Sequence, residues 1–218
     1  MRLVACAGAL VLGLLLASCR FIPTAEVKAI AAGGSTSGTA VRDPGQMVAS
    51  VWSTKVVPYF EKKAGPFLAV RDLAEKAPDE AGAKWGYRAK SEDAPWTLMV
   101  RIEGTIVAAD TESRAATIGV DVTGQGKTDA TVQIGPAMFG TSIRDALSFV
   151  SFNDFTNQID FARYGDAFNA YVNRNTLEKL PREDLIGRKV TLIGAYALDS
   201  SGQPPLVTPV EITIGPKP

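Results

Sequence analysis

Apolar and polar positions repeat along this chain with two different periods, and the switch between them divides it. After Asp43 the apolar residues recur every three or four positions, with Val48, Trp52, Val56 and Phe60 in one stripe and Met47 and Val51 beside them. That spacing predicts a helix with one buried face. Asp43-Pro44 supplies an N-cap and a first-turn proline, while Pro58 falls inside the pattern and predicts a kink or an early end. Gly65-Pro66 breaks the chain, Phe67–Lys76 predicts a second helix, and Pro78–Lys84 a further turn. From Pro95 the period becomes two. Leu98, Val100, Ile102 and Ile106 alternate with Thr97, Met99, Arg101, Glu103 and Thr105, which predicts a long strand with one face on a core. Gly104 marks a bulge or bend within it. Strands at Ala115–Val122 and Ala130–Ile134 follow, and then the helical period returns. Thr141 or Ser142 caps a short helix with Ile143 and Leu147, and a longer helix carries Phe161, Tyr164, Phe168, Tyr171 and Val172. Pro181–Ile186 predicts another helical turn, with Glu183 and Asp184 as its first-turn acids and Gly187 closing it. Two last strands, Lys189–Leu198 and Leu206–Ile214, end the pattern.

Three strands, a helical insertion and two more strands is the element order of a five-stranded OB-like Greek-key barrel, with its helix between strands three and four. The expected class is therefore α+β with a mostly β core, an open α+β sheet being the competing architecture. The N-terminal helices are expected to pack on the barrel, because their stripe needs a surface to cover. One domain is expected over 43–218, with a helical part at 43–90, the barrel at 95–215 and the helical insertion at 140–187.

The start of the chain changes the picture. Arg2 precedes an uncharged apolar run from Leu3 to Leu16, followed by Ala17-Ser18-Cys19. These are the parts of a secretory signal, and the run is shorter than the roughly 20 residues a membrane span needs. Leu16-Ala17-Ser18-Cys19 resembles the lipobox of bacterial lipoproteins, which implies cleavage after residue 18 and a lipid on the Cys19 thiol. Residues 19–42, with Gly33-Gly34-Ser35-Thr36-Ser37-Gly38, have the composition of a flexible tether. The expected location is the cell envelope, lipid-anchored and facing the periplasm, at either the inner or the outer membrane.

Composition then removes whole classes of chemistry. The 218 residues hold 23 basic and 23 acidic side chains, so nothing supplies the basic field that nucleic-acid binding needs. There is no histidine, and the cysteines are Cys6, in the signal, and Cys19. Ser-His-Asp and Cys-His catalysis and N/S zinc sites are thereby excluded from the mature chain. No cofactor beyond the lipid and no enzymatic activity are expected.

Two stretches stand out as candidate sites. Ser151-Phe152-Asn153-Asp154-Phe155-Thr156-Asn157-Gln158 interleaves aromatic rings with amides and a carboxylate. Phe152, Asn153, Asp154, Phe155, Asn157 and Gln158 suit a pocket that stacks on a sugar ring and bonds its hydroxyls. The alternative is that both phenylalanines anchor a core and Asn153 or Asp154 caps the next helix. Asp154 and Asp160 are also candidates for an acid–base pair, although sequence spacing does not establish one. Asp121, Thr123, Gln125 and Asp129 trace a weak calcium-loop outline, with glycine at its sixth position. It lacks acids at the third and fifth places and a glutamate at the twelfth, so a glycine-rich hairpin loop is the simpler reading. Arg101 and Glu103 are most simply a solvated strand face.

Several segments carry a family resemblance: Val51-Trp52-Ser53-Thr54-Lys55-Val56-Val57-Pro58, Ala94-Pro95-Trp96, Asp110-Thr111-Glu112-Ser113-Arg114, Gln133-Ile134-Gly135-Pro136 and the Ser151–Gln158 stretch. The chain resembles a bacterial domain-of-unknown-function family of predicted periplasmic lipoproteins, commonly encoded beside sugar ABC transporters. The resemblance implies an accessory or binding component of a carbohydrate ABC uptake system, with transporter components or a small carbohydrate as partners. It brings no established catalytic residues. The other function in view is a structural or assembly factor of the envelope, acting as a protein-binding module.

Overall fold

The computed structural model describes residues 43–89, 94–199 and 201–217; the expected signal, Cys19 and the expected tether lie outside these. Asp43 caps the first helix as the sequence predicts: its carboxylate accepts the Gly45 N–H at 2.7 Å, with Pro44 in the first turn. Helix α1 (Pro44–Val51) runs into a π-turn over Trp52–Val56 and then into α2 (Val57–Lys63). The π-turn is how the chain accommodates Pro58. Widening the preceding turn relieves the clash between the proline ring and the carbonyl four residues back, so the helix continues where an early end was possible. The predicted stripe is buried throughout, at Val48, Trp52, Val56 and Phe60. Trp52 packs on the longest helix against Tyr171, ring centroids 4.6 Å apart.

Strand β1 (Gly65–Pro66), helix α3 (Phe67–Lys76), helix α4 (Pro78–Trp85) and strand β2 (Gly86–Tyr87) follow. Trp96 lies so close to α4 that a Cβ on Gly82 would come within 2.1 Å of its ring. The long strand β3 (Thr97–Asp110) pairs with two neighbours in succession, then comes β4 (Thr117–Asp121) and β5 (Ala130–Gln133). The insertion contributes α5 (Ser142–Asp145), a 3-10 turn at Phe152–Asp154 and α6 (Gln158–Asn175). Strands β6 (Lys189–Ala197) and β7 (Leu206–Ile214) complete the chain.

The order β3-β4-β5-β7-β6 closes through β3–β6 pairing, with only β5–β7 parallel. This is a closed five-stranded OB barrel, not an open sheet. Closure depends on β3 changing partner: residues 97–105 pair with β6 and residues 105–110 with β4. Gly104 sits at that handover, where a Cβ would fall 2.5 Å from the Asp121 carbonyl oxygen. The bulge expected there lies further on, between Ile106 and Ala108.

Two expectations are corrected. Thr97 and Met99 are buried together with Leu98 and Val100, so the start of β3 has no solvent face. Helices α3 and α4 pack against β3 and α2 against β6 and β7, which covers the outer wall of the barrel at this end. The wall reopens at Arg101. Residues 181–186 are not helical. Asp184 takes φ 50° and its carbonyl accepts from the Arg188 guanidinium at 2.8 Å, so Glu183 and Asp184 are not first-turn helix acids.

Candidate functional site

The Ser151–Gln158 stretch is built as the entrance to α6. Asp154 accepts the Ser151 N–H at 3.0 Å and the Ser151 hydroxyl accepts the Asn153 N–H at 3.3 Å, a reciprocal cap on the 3-10 turn. Asn157 caps α6, accepting the Asp160 N–H at 2.9 Å and donating to the Asp160 carboxylate at 3.0 Å. Asp154 and Asp160 are therefore each tied to a helix start, and the hydrogen bonds of each go to its own cap and not to the other carboxylate. Phe155 is half-buried between Phe161 and Tyr164, at 5.3 and 5.1 Å, while Phe152 leans edge-on against Phe161. Burial, and after it the Asp154 carboxylate, push the Tyr164 hydroxyl above its ordinary range. Phe152, Asn153 and Gln158 are exposed, and neither of the two hollows described below is lined by them, by Phe155 or by Asn157. Beside them Phe149, 41 % exposed, packs edge-on against Tyr59, and Ile159 is 64 % exposed.

The loop between β4 and β5 directs its carboxylates inward. Asp121 accepts the N–H groups of Gly124, Gln125 and Gly126 at 2.7, 3.2 and 2.6 Å, with φ positive at both glycines. Asp129 accepts the N–H groups of Val122 and Thr123 and the Thr123 hydroxyl, while Arg71 donates to its other oxygen at 3.2 Å. Partial burial acts to raise both carboxyls, but these N–H bonds outweigh it and hold both below the usual carboxylate range. The carboxylate oxygens that a cation would need are already bonded to the loop's own backbone or, at one Asp129 oxygen, to Arg71. The side chain of Gln125 points to no partner in this set, and the calcium outline describes a hairpin loop held by two aspartates. Among the described residues no group of three or more acids is placed to hold a metal ion.

A concave surface lies where the pattern alone suggests only a solvated face. On the outer barrel wall Arg101, Ile193 and Glu211 form one cross-strand row on β3, β6 and β7, and Glu103, Thr191 and Thr213 form the next. Together with Thr176, which follows α6, they line a groove of about 510 Å³. It begins where α2 stops covering the wall: the Arg101 guanidinium donates to the Glu61 carbonyl of that helix. Period two placed Arg101 and Glu103 outward, but their neighbours on β6 and β7 come from the far end of the chain. Only the strand register brings them together. A second hollow of about 640 Å³ lies beside Thr111 and the 182–186 segment, its edge held by a Lys217–Asp184 ion pair at 2.8 Å.

Comparison with known proteins assigns the family. The model for "Predicted periplasmic lipoprotein (DUF2291)" matches residues 9–213. The chain belongs to this family. It is accordingly a lipid-anchored protein of the cell envelope that faces the periplasm. No curated protein is similar enough to this lipoprotein to count as a relative. Among solved structures, the crystal structure of an OB-fold protein from Thermotoga maritima at 1.90 Å resolution is similar with a TM-score of 0.63 and 19 % identity, over 79 % of this chain and 98 % of that one. At that identity the likeness establishes the fold alone, and it agrees with the strand order found here.

Proposed function

We propose that this lipoprotein is a non-enzymatic binding component of a carbohydrate ABC uptake system, held at the membrane through a lipid on Cys19. The groove on the outer barrel wall carries the reading. Its guanidinium, its carboxylates and the hydroxyls of Thr191 and Thr213 stand on three neighbouring strands, with β6 paired to both β3 and β7, a rigid frame suited to holding a small polar molecule. The carboxylates of the two sequence candidates are bonded to backbone N–H groups, which suits scaffold better than proton transfer. Binding is thus the activity that the geometry favours. The test is uptake of radiolabelled monosaccharides by cells lacking the protein. Uptake of one sugar is expected to fall and to return with the wild-type chain but not with Cys19→Ser; unchanged uptake of every sugar in the deleted strain refutes the proposal.

A protein-binding module of envelope assembly is the second reading, favoured by the exposed Phe149, Phe152 and Ile159 around the α6 entrance. Large apolar side chains grouped on a surface suit a protein contact better than a sugar. Under this reading Phe149→Ser with Phe152→Ser removes a partner from pull-downs of solubilised membranes, and Glu103→Gln with Glu211→Gln, in the groove, leaves that partner bound.

A further inference from the structure

The groove's charges select among ligands. Arg101 and Glu211 flank Ile193 in one row, about 10 Å apart across three strands at the usual spacing. Glu103 stands in the next row, beside the hydroxyls of Thr191 and Thr213. Among the described residues neither Glu103 nor Glu211 forms an ion pair. Arg101 has given an N–H to the Glu61 carbonyl, and a guanidinium carries five such donors. The free groups thus comprise acceptors on two sides and donors on a third, around a half-buried isoleucine.

A simple cation placed here meets the guanidinium, and a simple anion meets two carboxylates. A neutral molecule bearing several hydroxyls meets neither conflict, because each hydroxyl donates to a carboxylate or accepts from the guanidinium. Such charge-assisted bonds are about twice as strong as neutral ones, and the C–H face of a ring can lie on Ile193. We infer that the groove binds one small neutral polyol, a monosaccharide, with Glu103 and Glu211 accepting its hydroxyl protons and Arg101 donating to a ring or hydroxyl oxygen. The choice of a sugar among polyols rests on the uptake reading above.

The test uses the full-length lipoprotein in detergent micelles, dialysed against radiolabelled D-ribose, D-glucose and D-galactose at about 1 mM, a concentration that detects even weak complexes. One of the three is retained and raises the melting midpoint, as a ligand that binds only the native state must. Glu103→Gln and Glu211→Gln keep the ligand-free midpoint and weaken retention about tenfold or more, through loss of a charge-assisted bond. Glu112→Gln, away from the groove, leaves retention unchanged. Raising the salt to about 1 M, where the Debye length falls to ~3 Å, also leaves it unchanged because the ligand carries no net charge. Retention of none of the sugars overturns the inference. So does retention of radiolabelled L-lysine in their place, or equal retention by wild type and both variants. If uptake in cells requires the protein while no sugar is retained, the groove assignment falls and the uptake reading stands. If a sugar is retained and uptake is indifferent to the protein, the reverse holds.

Discussion

Single side chains in this protein are used first to hold backbone. Asn157 and Asn153 lie four residues apart in one polar-aromatic stretch, yet only Asn157 bonds an N–H of the helix it precedes. Asn157→Ala is expected to lower stability by about 1 kcal/mol through the lost cap, and Asn153→Ala to change the urea midpoint very little. Asp129 gathers two N–H groups, one hydroxyl and the Arg71 guanidinium. Asp129→Ala should therefore cost about 2 kcal/mol, the order of a lost hydrogen bond to a charged group. Urea melts of the three variants check both statements. If Asn153→Ala proves as damaging as Asn157→Ala, the cap assignment fails.

At the scale of elements, the first barrel strand shows how far a pattern carries. Val100 and Ile102 face the core, so an aspartate at either is expected to cost several kcal/mol as an unpaired buried charge. Met99→Asp should be as damaging, since α3 and α4 pack against this strand and its outward face is buried there. Arg101→Asp should leave folding intact, because the side chain is exposed where the covering helices end. Soluble yield and urea midpoints of the four variants decide it, and a well-folded Met99→Asp protein refutes the covered face. The sequence showed period two and the element order that a barrel needs, because both are local. It does not show which strand face a distant helix covers, and so period two alone places Thr97 and Met99 outward. The π-turn before Pro58 was hidden for a related reason: proline demands relief, but the neighbours decide whether the helix widens or stops. At 181–186 a helical pattern was overridden by Arg188, which binds the carbonyls of Glu183 and Asp184. The cap at Asn157 lay within the stretch singled out, but the groove did not. Its two rows assemble from β3, β6 and β7, and cross-strand register between segments far apart in the chain leaves no local trace.

For the molecule as a whole, titration and anchoring set its behaviour in the envelope. Asp121 and Asp129 are held below the usual carboxyl value of about 3.9. The stability they contribute is complete above that value and is lost as pH falls through their depressed ones. Burial pushes the Tyr196 hydroxyl up to about 12, so its contribution is complete below the ordinary tyrosine value near 10 and is lost as pH rises toward 12. With no histidine in the chain, no imidazole titrates between these limits. Urea midpoints should form a plateau from about pH 5 to 9 with losses on either side; a step near pH 6.5 would contradict this account. Anchoring adds a second property of the whole chain, since family membership makes it a lipoprotein and the proposed point of attachment is Cys19. Each buried methylene contributes about 0.8 kcal/mol, so one acyl chain binds a membrane marginally and two or more hold firmly. Replacing the thiol by a hydroxyl should remove the acceptor for all of this chemistry at once. Cys19→Ser is expected to accumulate as an unlipidated precursor, with the mature form missing, while the barrel keeps its urea midpoint. Growth with radioactive palmitate gives the direct reading: label should enter the wild-type band and be absent from the variant. A wild-type band without label, or a variant still labelled, would move the anchor away from Cys19.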